Sequence, residues 1–191
     1  MINEYSSIDE VLEVLESDIH SLRYVSDEIK NDKSFFIKAV KIDPASFYFA
    51  SDDLKKDKQF ILELVLIDGG VLEHVSPHLK DDKEVVLQAV KKRDLPLLYA
   101  SNNLKNDKTF IIELVKQRGG FLSYVSKELK NDKEVVLEAV KNWGLSLDYA
   151  SDNLKNDIDI VKEAIIDNIQ AFNYASKELK NKILNALYII K

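Results

Sequence analysis

The sequence predicts an all-α fold, an α-solenoid or superhelix of stacked 25-residue two-helix units, and three observations carry that prediction. The first is a strict repeat. Serine recurs at Ser26, Ser51, Ser76, Ser101, Ser126, Ser151 and Ser176, every 25 residues without an insertion. An apolar residue and a lysine follow at fixed distances, from Ile29-Lys30 to Leu179-Lys180. Aspartate stands two after the lysine from Asp32 to Asp157, until Lys182 breaks the column. The second is composition: 5 Gly and 3 Pro among 191 residues leave few of the turns that join strands. The third is the helical spacing of apolar residues inside each copy. One copy is too small to bury its apolar face, so copies must stack and share a core.

Taken in order, residues 7–19 read as the second half of a unit, with Ser7 and Glu10 as a capping box. Residues 20–180 are the repeats and 181–191 a C-terminal capping helix, about fifteen helices in all, within a single domain spanning 1–191. In the copy that begins at Asn131, either Asn131 or Asp132 is the N-cap, and Glu134 completes a capping box with Asn131. Val135, Val136, Leu137, Ala139 and Val140 form a wide apolar arc, so this long helix is mostly buried. Gly144 ends it, as Gly69 and Gly119 do in their copies. The short helix runs from Leu145 towards Leu154, with Leu147, Ala150 and Leu154 on one stripe. Pro44 and Pro96 mark its start in two copies. Ser76-Pro77 puts a proline where only a first helical turn tolerates one, so this short element is bent, broken or partly 3₁₀. A weaker 50-residue period overlies the first: Ala39, Ala89 and Ala139 alternate with Leu64 and Leu114, and Gly69-Gly70 recurs as Gly119-Gly120. Large and small core residues compensating between neighbours explain it, which makes a pair of units the module.

Charge and residue content exclude several functions. With 27 Lys+Arg against 33 Asp+Glu, a net charge of -6, there is no large basic field for a phosphate backbone. The absence of cysteine removes disulfides, thiolate metal sites and thiol nucleophiles and suits a reducing compartment, so a cytoplasmic location is expected. Apolar runs are a few residues long and the N-terminus lacks a basic-then-apolar leader, so no membrane partner is expected.

The string Leu-Lys-Asn-Asp-Lys-Glu-Val-Val-Leu-Glu-Ala-Val-Lys at 129–141, followed by Leu147-Asp148-Tyr149-Ala150-Ser151 and Leu154-Lys155-Asn156-Asp157, resembles domain-of-unknown-function family four-one-one-six. The resemblance covers residues 20–180. It implies tandem helical repeats of bacterial, protist and large-virus proteins, some of them secreted bacterial effectors. It therefore also implies an interaction module, in the cytoplasm of the producing cell or in host cytosol, with no catalytic residue to carry over.

The columns divide into scaffold and candidate contacts. The serines read as cap hydroxyls, because no histidine or lysine base is fixed relative to them. His74 and His78 have the spacing of two metal ligands on one helix, but Pro77 lies between them and no metal site is expected. The Lys and Asp columns complement helix dipoles. The alternative is an anion-binding ridge from Lys30 to Lys180. Two before each serine stand Tyr24, Phe49, Tyr99, Tyr124, Tyr149 and Tyr174, with His74 in the gap. On an α-helical wheel they lie about 130° from the Leu147–Ala150 stripe. Either they pack on a neighbouring copy or they form an aromatic ladder that grips a partner. Trp143 stands where other copies carry Asp43, Asp68, Arg93, Arg118 and Asn168, and is a contact candidate. The most variable column lies three before the serine: Arg23, Tyr48, Glu73, Leu98, Ser123, Asp148 and Asn173. The function expected is a non-catalytic scaffold, not an enzyme and without a cofactor, that binds a protein or peptide along one face through these residues. Its alternative is a nucleic-acid- or anion-binding repeat using the lysine ridge. The apolar C-terminal segment with Leu184, Leu187, Tyr188, Ile189 and Ile190 is either buried or a surface for self-association.

Overall fold

The structure, a computed structural model, describes residues 2–91 and 94–189 except for the side chains of 187–189. Arg93, Ile190 and the side chains of Leu187, Tyr188 and Ile189, named above, lie outside the described residues. Among those described, every regular element is helical and none is a strand, so the chain is all-α. It divides into two compact units, Met1–Ser101 and Asn102–Lys191, each a stack of repeats.

Each repeat holds three helical pieces where the sequence predicts two. In the second unit the long helix Lys108–Gln117 is followed by a 3₁₀ helix, Gly119–Tyr124, and a one-turn α-helix, Lys127–Lys130, before the next long helix, Lys133–Asn142. In the first unit Lys33–Ile42, Pro44–Phe49, Asp52–Lys56 and Lys58–Ile67 repeat that order. The predicted short helix is broken because two successive residues are extended. Ala150 and Ser151 have ψ near 159° and 157°, and the serine then caps a fresh helix by accepting from Leu154 N. The break raises the number of helices among the described residues to fourteen α and seven 3₁₀, above the fifteen expected. Within each unit long helices pack on long helices and 3₁₀ helices on 3₁₀ helices, with the core between the two rows. Leu22, Phe47, Leu72, Leu97, Leu122 and Leu147 enter it from the 3₁₀ row and are completely buried. Each such side chain contributes about 2 kcal/mol by leaving water.

Two local expectations are corrected. The N-cap is Asp132, whose Oδ1 accepts from Glu134 N and Val135 N, and Asn131 forms no capping box with Glu134. Glu134 reaches Lys108 instead, at 2.9 Å. The box at Ser7 and Glu10 is present as predicted. Nor do Gly69, Gly119 and Gly144 end their helices through a left-handed conformation, since no glycine has positive φ among the described residues. They start the 3₁₀ helices, and a Cβ on each would collide with a carbonyl of the next repeat: Ala89 O, Ala139 O and Ala164 O respectively. The 3₁₀ helix lies directly against the next long helix, and glycine facing alanine permits that approach. Ile19 stands 20 residues before Ala39, where Gly69, Gly119 and Gly144 stand before their alanines, and departs from the pattern.

The last long helix also differs from expectation. It runs without a break from Lys177 to Ile189, starting before the predicted 181. Lys182 occupies the column of the capping aspartates, so nothing restarts the helix there. Its amine pairs with Glu178 one turn back, at 2.6 Å.

Candidate functional site

The repeated polar residues join one repeat to the next. From Ser51 onward each column serine donates its backbone N–H to the column lysine carbonyl of the previous repeat: Ser51 to Lys30, Ser76 to Lys55 and Ser101 to Lys80 in the first unit, Ser126 to Lys105, Ser151 to Lys130 and Ser176 to Lys155 in the second, all at 2.8–3.0 Å. Its hydroxyl both caps and ties. Ser151 Oγ accepts from Leu154 N at 3.4 Å and donates to Asn131 Oδ1 at 2.6 Å. Ser51 uses Asn31, Ser126 uses Asn106, Ser176 uses Asn156 and Ser101 uses Asp81 in the same way. Ser76 has Lys56 at the corresponding place; it makes no cap bond and its hydroxyl meets His78 Nδ1 at 3.1 Å. Ser151→Ala is therefore expected to cost about 1–2 kcal/mol, a cap plus a tie, and Ser76→Ala about 0.5 kcal/mol or less. Urea midpoints of the two variants measure the difference, and equal losses would contradict these roles for the serine.

A second lock uses the aspartates. Asp57, Asp82, Asp132 and Asp157 each cap a long helix with one carboxylate oxygen, and the other takes the ammonium of the previous repeat's Lys33, Lys58, Lys108 or Lys133 at 2.5–2.8 Å. At Asp82, Asp132 and Asp157 burial opposes the charge, but the lysine and the cap N–H groups outweigh it and hold each carboxyl below its ordinary range. At Asp57 the Lys33 ammonium is the main cause of the same shift. Where the column changes to Lys182, the preceding repeat offers Ile158 in place of lysine, so both halves of the pair change together.

The column lysines act inside their own repeats. Lys55, Lys80, Lys130 and Lys180 donate Nζ to the carbonyls of Tyr48, Glu73, Ser123 and Asn173 at 2.6–2.9 Å, closing the C-terminal ends of the 3₁₀ helices. Burial pushes the amines of Lys55 and Lys130 below their ordinary pKa. The carbonyl gripped belongs in each case to the most variable column. The scaffold holds that residue by its main chain, which leaves its side chain free to differ.

Those side chains face solvent. Arg23, Tyr48, Glu73, Leu98, Asp148 and Asn173 are exposed, Tyr48 at 62% and Leu98 at 48%, while Ser123 is half-buried and donates to Gly120 O. The neighbouring aromatic column is half-buried at Phe49, Tyr99, Tyr124 and Tyr149 and exposed at its first and last members, Tyr24 and Tyr174. The α-helical wheel does not apply to it, because its members sit on 3₁₀ helices. Rings of adjacent repeats meet edge to face, His20 with Phe49 at 6.4 Å and Tyr48 with His74 at 5.7 Å between centroids. Trp143, 38% exposed, joins a long helix to the following 3₁₀ helix and lies against Tyr149. His74 and His78 are on separate helical pieces, as Pro77 requires, and among the described residues no three His, Cys, Asp or Glu side chains cluster as metal ligands. No helix among the described residues is long and apolar enough to cross a membrane.

Among the cavities of the first unit, two on this face share walls. One, of about 360 Å³, is lined by Ile19, His20, Arg23, Tyr48, Phe49 and their neighbours; the other, of about 210 Å³, includes Asp43, Pro44, Asp68, Glu73, Pro96 and Tyr99. They share Ala45 and His74. Composition and periodicity do not reveal them, because each is assembled from residues roughly 25 apart on different repeats. The asparagine column that receives the serine hydroxyls was likewise missed, although its spacing of 20 residues before the next serine is constant enough to have shown it.

Fold and face together define an all-α tandem-repeat protein whose constant polar groups build the stack and whose variable ones line one surface of each unit. The pattern of the family described as Domain of unknown function (DUF4116) matches residues 9–55, 57–105, 82–130 and 132–180, and the chain belongs to that family. Each match spans two 25-residue repeats, in keeping with a paired module, and the two central matches overlap in steps of one repeat. No protein of curated function and no solved structure is similar to it.

Proposed function

We propose that the chain is a non-catalytic scaffold that binds a protein or peptide partner along the row of 3₁₀ helices. One observation carries this reading. The serine, aspartate and lysine columns are engaged in holding the stack together, whereas the column at Arg23, Tyr48, Glu73, Leu98, Asp148 and Asn173 is exposed and differs in every repeat, and column lysines hold the carbonyls of Tyr48, Glu73 and Asn173. Mixed charge and aromatic character on such a surface suit recognition of another polypeptide. The same engagement weighs against the lysine ridge, since the amines of Lys55, Lys80, Lys130 and Lys180 already serve the main chain.

The test is affinity capture from cells that express the full chain, comparing two variants. A face variant carries Arg23→Glu, Tyr48→Ala and Glu73→Lys; a control carries Lys38→Glu and Glu63→Lys, exposed on the long helices. The face variant is expected to lose its specific partner at least tenfold while the control keeps it. Retention by both overturns the proposal. Capture dominated by nucleic acid, with affinity falling steeply in log-log form against salt, replaces it with the ridge reading.

A further inference from the structure

We infer that the second unit pairs with a second copy of this chain, the outer face of its last repeat packing on the same face of the other copy about a two-fold axis. That repeat is built from the long helix Ile158–Asp167 and the 3₁₀ helix Ile169–Tyr174. Inner repeats show what this face does within the stack. Lys133 pairs with Asp157 of the next repeat at 2.7 Å, Lys116 pairs with Glu138 of the next at 3.7 Å, and Gly144 lies against the Ala164 carbonyl. In the last repeat the same three columns carry Ile158, Ile166 and Ile169, which are 49%, 69% and 67% exposed. Ile165 and Phe172 are only half-buried there, whereas Val140 and Leu147, their counterparts one repeat earlier, are completely buried. The helix Lys177–Ile189 runs on without the break that starts each inner long helix, and it leaves the three isoleucines open.

The opposite end of the stack does not suit this face. In the long helices that follow the first, the third residue is Phe35, Phe60, Val85, Phe110, Val135 or Ile160, and all are buried. This column faces the repeat before it: the Phe60 ring lies 6.2 Å from the Phe47 ring between centroids and has the Lys33 amine 5.4 Å from its own. The first long helix, Ile8–Leu15, carries Glu10 at that place, exposed and engaged with Ser7 in the capping box. Laid on the isoleucines, it would bury a carboxylate where Ile158 has replaced the lysine of inner repeats, a costly arrangement. Glu10 gives the first repeat the polar outer side that ends a stack, and the last repeat lacks the equivalent.

A second copy of the apolar face has no such mismatch. It is self-complementary, as a two-fold contact requires, and isoleucines leave water on both sides at once. Lys162, one turn from both Ile158 and Ile166, can lay its stem along the contact and keep its ammonium at the rim. Isoleucine at these columns accepts a covering helix: Ile8 and Ile19 stand at the places of Ile158 and Ile169 in the first repeat, and with the next long helix packed on theirs both are half-buried. A ten-residue helix is about 15 Å long, so with its 3₁₀ neighbour the face is at the small end of specific interfaces, and pairing is expected at micromolar concentration.

Sedimentation equilibrium of the intact chain, from low micromolar to near-millimolar concentration, tests this. The mass is expected to rise from one copy to two and stop there. Ile158→Lys combined with Ile166→Lys should weaken the dimer at least tenfold. Leu66→Lys, at an exposed residue of the Ile166 column in the first unit, should leave it unchanged. Circular dichroism and urea midpoints check that both variants fold. A monomer throughout, growth past two copies, undiminished pairing of the double variant, or an equal loss with Leu66→Lys overturns the inference. The partner-binding reading is independent of all these results, since its own test rests on Arg23, Tyr48 and Glu73.

Discussion

Gly69→Ala is expected to destabilise the protein by about 3 kcal/mol, whereas Gly70→Ala, one residue on, stays within about 1 kcal/mol of the parent. Neither glycine has positive φ, so backbone strain does not separate them. At Gly69 an added methyl meets the Ala89 carbonyl oxygen below any tolerable separation and Pro96 Cγ at 2.9 Å. Both obstacles are stiff: one is main chain in a long helix, the other a proline ring. At Gly70 the methyl meets only the Asp68 Oδ1 end at 2.9 Å and Pro44 carbons at 3.8 Å, and a side chain can give way. Alanine also restricts the unfolded chain, offsetting part of that small loss. Urea unfolding with a lowered midpoint and unchanged slope for Gly69→Ala checks the claim. Matching midpoints for both variants would show that the row of 3₁₀ helices does not depend on this approach. Gly119→Ala and Gly144→Ala, which meet the Ala139 and Ala164 carbonyls, should behave as Gly69→Ala does.

These glycines mark where local reading of the sequence stops. Gly144 follows a helix, so a C-terminal cap is the natural inference, yet the atom that requires glycine belongs to Ala164, twenty residues away. The choice between Asn131 and Asp132 as cap has the same character. Both are good caps in isolation, and the choice follows the neighbouring repeats: Lys108 draws the Asp132 carboxylate and Ser151 occupies Asn131. What was legible depended on one repeat alone or on strict periodicity. The all-α stack, the break signalled by Pro77 and the variable column at Arg23, Tyr48 and Glu73 all follow from spacing; Leu147, Ala150 and Leu154 are buried as expected, but on two helical pieces with an extended Ala150 between them, not as one helical stripe. The cavities require side chains from three layers and had no signature within a single copy.

Substituting Asp132 separates the two halves of the aspartate lock. Asp132→Ala loses both the cap on Glu134 N and Val135 N and the Lys108 pair, an expected loss of about 2 kcal/mol. Asp132→Asn keeps an oxygen for the cap and loses the ion pair. Its expected cost is about 1 kcal/mol or less, because Lys108 and Asp132 side chains remain 43% and 26% exposed and water screens them. The pH dependence has a definite sign. The Asp132 carboxyl is held below its ordinary value in the folded state, so its contribution is complete above about pH 4, the unfolded range, and is lost as pH falls through the folded value. The gap between parent and Asp132→Asn should therefore close in acid. The gap to Asp132→Ala should close only in part, since a protonated carboxyl still offers an oxygen to the cap. Asp32 supplies the control: it caps Phe35 N, but Ile8 stands where its lysine would be, so Asp32→Asn should show little cost at pH 7. Urea midpoints at pH 7, 4 and 3 test this directly. An Asp132→Asn gap that persists undiminished at pH 3 would mean that the carboxylate charge contributes nothing to joining the repeats and that Lys108 and its equivalents Lys33, Lys58 and Lys133 serve some other purpose.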